Sequence, residues 1–122
     1  MNLETFYEYC LSKKGVSEHF PFDEDTLVFK VGGKMFALSS LSQWEKNEQS
    51  VNLKCDPDRA QELRAEYDEI QPGFHMSKVH WNTVALNGNL PVKFVKELID
   101  HSYELVFKSL TKKIQNEITS QT

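Results

Sequence analysis

Two adjacent glycines, Gly32 and Gly33, stand between two apolar runs, and they constrain this chain more than any other feature. A two-residue turn between strands needs positive φ, which glycine adopts without steric cost. Thr26-Leu27-Val28-Phe29-Lys30-Val31 is rich in β-branched and aromatic residues, and Lys34-Met35-Phe36-Ala37-Leu38 returns it. The pair predicts an antiparallel hairpin. Val51-Asn52-Leu53-Lys54-Cys55 alternates apolar and polar with period two, which predicts a third strand with one wet face. Three strands in succession read as a meander.

Helical spacing brackets them. Leu3, Phe6, Tyr7, Cys10 and Leu11 recur at three- and four-residue steps, and this helix is expected to end near Lys14-Gly15. Asp56 and Pro57 form the cap and first position of a second helix, with Ala60, Leu63 and Tyr67 on its buried face. Pro91 opens the longest helix, whose face is Phe94, Val95, Leu98, Ile99, Ser102, Leu105, Val106 and Leu110. Lys112 to Ile118 keeps helical spacing, either as its continuation or as a short separate helix capped by Thr111. Between the second and third helices, Gln71-Pro72-Gly73 reads as a turn, Phe74 to Val79 as a fourth strand and Trp81 to Leu86 as a fifth. Pro21 to Asp25 and Ser39 to Ser50, the latter containing Trp44, read as loops. The last four residues are expected to fray. The order α-β3-α-β2-α in 122 residues predicts one α+β domain over the whole chain. Its architecture is a two-layer sandwich, a five-stranded antiparallel sheet with helices on one face.

Composition narrows the class without naming a function. No apolar run approaches the roughly 20 residues of a membrane helix. Met1-Asn2-Leu3-Glu4 lacks the basic start of a secretory leader, so a cytoplasmic protein is expected. Cys10 lies on the first helix's apolar face, and Cys55 shares the parity of Val51 and Leu53. Both are expected to be buried, unligated and unpaired thiols. The net charge is −4, and residues 1–25 hold six acids against two bases. The acidic excess thus sits at the N-terminus. With a pI near 5.5, any nucleic-acid binding would rely on a local basic patch against an unfavourable overall field.

No catalytic set emerges. Asp100-His101-Ser102 has the residue types of a triad, but neighbours on a helix diverge by about 100° and cannot form a relay. His101 reads as a solvated helix residue. Gly32-Gly33 belongs to a hairpin and not to a phosphate-cradling loop. His19, His75, His80 and His101 show no zinc-type spacing, so no metal site or cofactor is expected. The acids Glu4, Glu8, Asp23, Glu24 and Asp25 read as a solvated face. What remains is a basic and aromatic group. Lys30, Asn52 and Lys54 have the parity of the open sheet face, Lys34 sits by the hairpin tip, and Lys78, His80 and Trp81 come from the last strand pair. Lysines contact phosphates and an aromatic ring can stack on a base.

Four stretches together resemble the MmcQ/YjbR family of small bacterial proteins. They are Asp25–Ala37 (DTLVFKVGGKMFA), Val51–Pro57 (VNLKCDP), Pro72–Val84 (PGFHMSKVHWNTV), and Leu90-Pro91 followed by Glu97–Tyr103 (ELIDHSY). The resemblance implies an α-β3-α-β2-α fold, similar to secretion chaperones and called CyaY-like, in agreement with the order read from periodicity. It implies DNA binding, with a double wing of strand hairpins as the contact surface, and transfers no catalytic residue. The residues that carry over onto the matching strand motifs are Lys30, Lys34, Lys54, Lys78, His80 and Trp81. Two functions follow as expectations. One is weak, salt-sensitive binding of double-stranded DNA. The other, implied by the likeness to secretion chaperones, is a protein-interaction module. No membrane role is expected.

Overall fold

The computed structural model describes residues 1–120. In chain order the elements are α1 (Leu3–Leu11), β1 (Val16–His19), β2 (Thr26–Val31), β3 (Lys34–Ser40), α2 (Leu41–Glu45) and β4 (Ser50–Lys54). There follow α3 (Pro57–Glu66), β5 (Ile70–Pro72), β6 (Trp81–Ala85), α4 (Val92–Ser109) and α5 (Lys112–Thr119). One six-stranded sheet has the order β1-β2-β3-β4-β6-β5, with every neighbouring pair antiparallel. The α+β class and the Gly32-Gly33 hairpin stand as read from the sequence, both glycines having positive φ.

The strand count is corrected from five to six. The added strand, β1, is an edge whose Ser17, Glu18 and His19 are all exposed. It buries too little to carry an apolar alternation. The fourth strand is also corrected. Phe74 to Val79 is a loop, and the strand is Ile70–Pro72, overlapping the Gln71-Pro72-Gly73 stretch read as a turn. Pro72 is tolerated there because β5 is the other edge, where one side needs no ladder donor. Ser39 to Ser50 is not all loop, since β3 runs on to Ser40 and α2 follows. Trp44 on α2 packs on Phe6 with ring centroids 5.7 Å apart. Helix α1 ends at Leu11, three residues before Lys14. Thr111 caps a separate α5, accepting the Ile114 N–H at 3.3 Å. That helix reaches Thr119 and is capped by Ser120, so the first two of the four residues expected to fray are ordered, and residues 121–122 lie outside the described chain.

The core lies between the sheet and the helices. Phe29, Val31, Val51 and Leu53 meet Phe6 and Cys10 of α1 and Val95, Ile99 and Val106 of α4. Phe29 edges onto Phe6 at 5.7 Å, and Phe36 onto Tyr103 at 5.5 Å. A β-bulge gives β3 one extra residue, because Phe29 faces Ala37 while Lys30 faces Met35. Ser102 of α4 serves this irregular spot. Its Oγ donates to the Phe36 carbonyl at 2.6 Å and accepts the Lys54 N–H at 2.9 Å. A serine on the helix's buried face thereby satisfies backbone groups from two strands. Its neighbour His101 is half-buried, against the solvated position expected for it. Its Nε2 accepts the Asp56 N–H at 3.2 Å, tying α4 to the start of α3.

Candidate binding site on the open sheet face

The other face of the sheet carries no helix, and strand register sets out its side chains in rows. One row crosses all six strands as His19, Val28, Leu38, Asn52, Thr83 and Gln71. A second row runs through Ser17, Lys30 and Met35, and on the other strands Lys54 stands opposite Trp81. Val28, Leu38 and Trp81 of this face form a small second core, with Met35 and Met76 packed against it.

The loop from Gly73 to His80 folds back over this face and is held at several points. Gly73 N–H donates to the Trp81 carbonyl at 2.8 Å. A Cβ on Gly73 would lie 2.7 Å from Trp81 Cβ, so only glycine brings the loop this close. Thr83 Oγ1 accepts the Phe74 N–H at 2.9 Å and donates to Asn52 Oδ1 at 2.6 Å, and Asn52 Nδ2 donates to the Phe74 carbonyl at 3.1 Å. The far end is gripped by Arg64 of α3. Its Nε donates to Asn82 Oδ1 at 2.6 Å, and its Nη2 to the Trp81 carbonyl at 3.0 Å and to the Lys78 carbonyl. His75 in the loop has φ 61°.

Beside this loop lies a cleft of about 740 Å³, within the range of pockets that hold a drug-sized ligand or a partner's anchor side chain. Phe22 and Phe74 both line it, 63% and 65% exposed. Leu38, Pro72 and Met76 supply further apolar surface, with Asn52, Thr83 and Gln71 between them. No lining residue is a lysine, arginine or carboxylate, and His75 is the one titratable group among them. The polar floor is largely engaged already. Asn52 and Thr83 hold the loop, Ser50 Oγ donates to Gln43 Oε1 at 3.2 Å, and Gln71 Nε2 donates to the Asp68 carbonyl at 2.8 Å.

Three acids follow Phe22. Asp23 Oδ1 accepts the Thr26 N–H at 2.6 Å and the Asp25 N–H at 2.9 Å, which holds its carboxyl below the usual range. Asp25 accepts from the Ser40 hydroxyl, the Ser42 N–H and the Ser42 hydroxyl, and is lowered likewise. Neutral donors anchor both groups in the ionised form.

The six residues expected to contact DNA do not gather. Lys30 and Lys54 share the open face, as their parity requires. Lys34 is opposite Val31, and its Nζ reaches Ser109 Oγ of α4 at 3.5 Å, on the helix side. The hairpin tip is pinned there as well, since a Cβ on Gly32 would meet Leu110 at 2.6 Å. Lys78 Nζ donates to the Gly73 carbonyl at 2.9 Å, inside its own loop. His80 is exposed, and its carbonyl accepts the Cys55 N–H at 2.8 Å. Trp81 is buried in the second core.

The profile of the YjbR family matches residues 11–105. The chain belongs to the YjbR family. Relatives within it include Uncharacterized protein YjbR of Escherichia coli K12, 32% identical over 104 residues, covering 85% of this chain and 86% of the relative. Uncharacterized protein YbdF of Escherichia coli O157:H7 is 34% identical over 115 residues, covering 94% and 92%. Among solved structures, the Deinococcus radiodurans protein DR2400, with a DUF419 domain, superposes with TM-score 0.89 at 38% identity, covering 97% of this chain and 88% of that one. A Pseudomonas syringae protein gives 0.74 at 29%, covering 87% and 99%. The YjbR fold is therefore shared along nearly the whole chain. The cleft residues Phe22, Phe74, His75 and Met76, and the loop clamp Arg64, were not among the binding residues expected from the sequence. The available signal was two phenylalanines in loops beside proline and glycine, Pro21-Phe22 and Pro72-Gly73-Phe74, where an apolar ring has no strand or helix to bury it.

Proposed function

We propose that this chain is a protein-interaction module that takes an apolar anchor side chain of a partner into the cleft on its open sheet face. One observation carries the reading: a preformed cleft lined by two exposed phenylalanine rings, with no lysine, arginine or carboxylate in its lining. Contiguous exposed apolar surface of this kind marks an interaction site more often than a solvated surface. Aromatic anchors seated in pockets dominate protein interfaces. His75 has no titratable partner within the lining, so the site is suited to binding and lacks the acid–base pair that catalysis would ask for.

A second reading, weak binding of duplex DNA, is favoured by Lys30 and Lys54 sharing this open face. The two separate in one experiment. The isotope-labelled chain is titrated with N-acetyl-tryptophanamide, and independently with a short DNA duplex at about 150 mM salt, where exposed charges are screened beyond about 8 Å. The amide is expected to shift backbone resonances of Leu38, Asn52, Phe74, Met76 and Thr83, and the duplex to leave them in place. Shifts at Lys30 and Lys54 with duplex, and none in the cleft with the amide, would overturn the protein-binding reading in favour of DNA.

A further inference from the structure

We propose that the partner segment is basic: the anchor residue in the cleft is flanked by lysine or arginine, held by the acidic edge beside Phe22. This rests on the protein-binding reading and adds the partner's charge. Asp23, Glu24 and Asp25 occupy the short segment between Phe22 and Thr26, both of which line the cleft. Three consecutive acids on the segment that joins these two lining residues set the sign of the field at that end of the cleft.

These charges are not cancelled within the molecule. Among the described residues the one ion pair is Lys13 with Asp100, on the helix side. Asp23 and Asp25 take their hydrogen bonds from backbone N–H groups and hydroxyls, which fix the carboxylates in place and leave the negative charge whole. Lys46 acts on Asp25 only through its field. Fixed carboxylates are pre-organised, so an incoming cation finds them without ordering a flexible side chain. Glu24 is exposed on the same turn. The sheet's own cations, Lys30 and Lys54, lie beyond the Val28, Leu38 and Asn52 row from this edge. The open face is therefore acidic at the Phe22 end, neutral through the cleft and basic beyond it. An apolar anchor with a cation toward Phe22 matches that order, and complementarity of this kind governs partner choice and register.

The test uses three capped pentapeptides, Gly-X-Trp-X-Gly, with X as lysine, serine or glutamate. Binding is followed by the resonances of Leu38, Phe74 and Thr83. The lysine peptide is expected to bind about tenfold more tightly than the glutamate peptide at low salt, the scale of a few solvent-screened charge contacts. Serine should fall between, and the ranking should flatten at high salt. Glu24→Lys, in an exposed turn, is expected to shrink the ranking while leaving the serine peptide unchanged. Phe74→Ala is expected to weaken all three. Equal affinities at low salt, or a ranking unmoved by Glu24→Lys, would overturn the basic partner while leaving the cleft in place. Absence of any shift in the cleft, or indifference to Phe74→Ala, would overturn the protein-binding reading itself.

Discussion

Arg64 Nε donates to Asn82 Oδ1 at 2.6 Å, joining helix α3 to β6, the strand next to the sheet's β5 edge. Asn82 is 2% exposed, on the helix side of β6 opposite Leu53, where an amide without a partner is costly. The same guanidinium reaches the carbonyls of Lys78 and Trp81 and so fixes the end of the loop that forms one wall of the cleft. One side chain therefore satisfies a buried amide and shapes the site.

Arg64→Ala is expected to cost about 2–3 kcal/mol in denaturant unfolding, since it leaves the buried Asn82 amide oxygen and the Lys78 carbonyl without this donor and the Trp81 carbonyl with only the Gly73 N–H. Arg64→Lys should recover less than half of that, because an ammonium cannot reproduce the planar fork that spans three acceptors. Hydrogen exchange at Trp81 and Cys55 should accelerate in both variants ahead of exchange in β2 and β3. Wild-type exchange at those two amides would detach the clamp from the loop.

Ser102→Ala removes one hydroxyl, yet strands the Phe36 carbonyl and the Lys54 N–H at the bulge. The expected loss is about 1–3 kcal/mol, the cost of unsatisfied buried polar groups. An unchanged midpoint would mean that the bulge is satisfied without the helix.

How much of this was legible in the sequence divides along physical lines. Period-two and period-3.6 patterns are local, so Thr26 to Val31, Val51 to Cys55 and the face of α4 could be read directly. Strand β1 was hidden because an edge strand with three exposed residues has no apolar pattern to read. Pro72 and Gly73 look like a turn until β5 is known to be an edge. The cleft was the least legible part. Its lining comes from loops and strand faces far apart in the chain, and its wall is placed by bonds such as Asn52 to Phe74 and Arg64 to Trp81, which no local periodicity encodes. Lys34 misleads in a similar way. It sits at a hairpin tip in sequence, yet it is turned toward Ser109 because it lies opposite the core residue Val31.

His101 should make stability depend on pH below neutrality. Burial, then the nearby Arg59 charge, holds its pKa below the ordinary 6.5. Its Nε2 accepts a backbone N–H, which only the neutral ring can do. The unfolded chain therefore takes up this proton first as pH falls. Stability contributed here is constant above about pH 7, declines from 6.5 down through the lower folded pKa, and then levels off. Urea midpoints measured between about pH 7.5 and 5 should show that decline, and His101→Gln should remove the part due to this ring. Identical slopes in both proteins would place the effect elsewhere.

Both thiols should be inert in the native state. Cys10 is fully buried and its pKa is pushed up to about 12 by desolvation. Cys55 is 5% exposed and raised for the same reason. A disulfide reagent at mild alkaline pH is expected to titrate neither thiol at a measurable early rate, and both on addition of denaturant, because the reactive thiolate is scarce and shielded. A fast first equivalent would identify a local opening at α1 or at the end of β4.

Duplex DNA should bind weakly, with a shallow salt dependence. Phosphate contacts release counterions, and each contributes about −0.9 to the slope of log K against log salt. Four lysines acting together would give a slope of about −3.6. Lys34 is turned to the helix side and Lys78 Nζ is engaged with the Gly73 carbonyl, which leaves Lys30 and Lys54 on the open face. Trp81 is buried and offers no free ring for a base. Two contacts give a slope near −1.8. The net charge of −4 opposes even those at long range. Affinity for a duplex of about 20 base pairs, measured from roughly 20 to 200 mM salt, should follow that shallow line, and Lys30→Glu with Lys54→Glu should abolish it. A slope of −3 or steeper would require Lys34 or Lys78 to leave its intramolecular contact, and would favour nucleic acid over a protein as the occupant of this face.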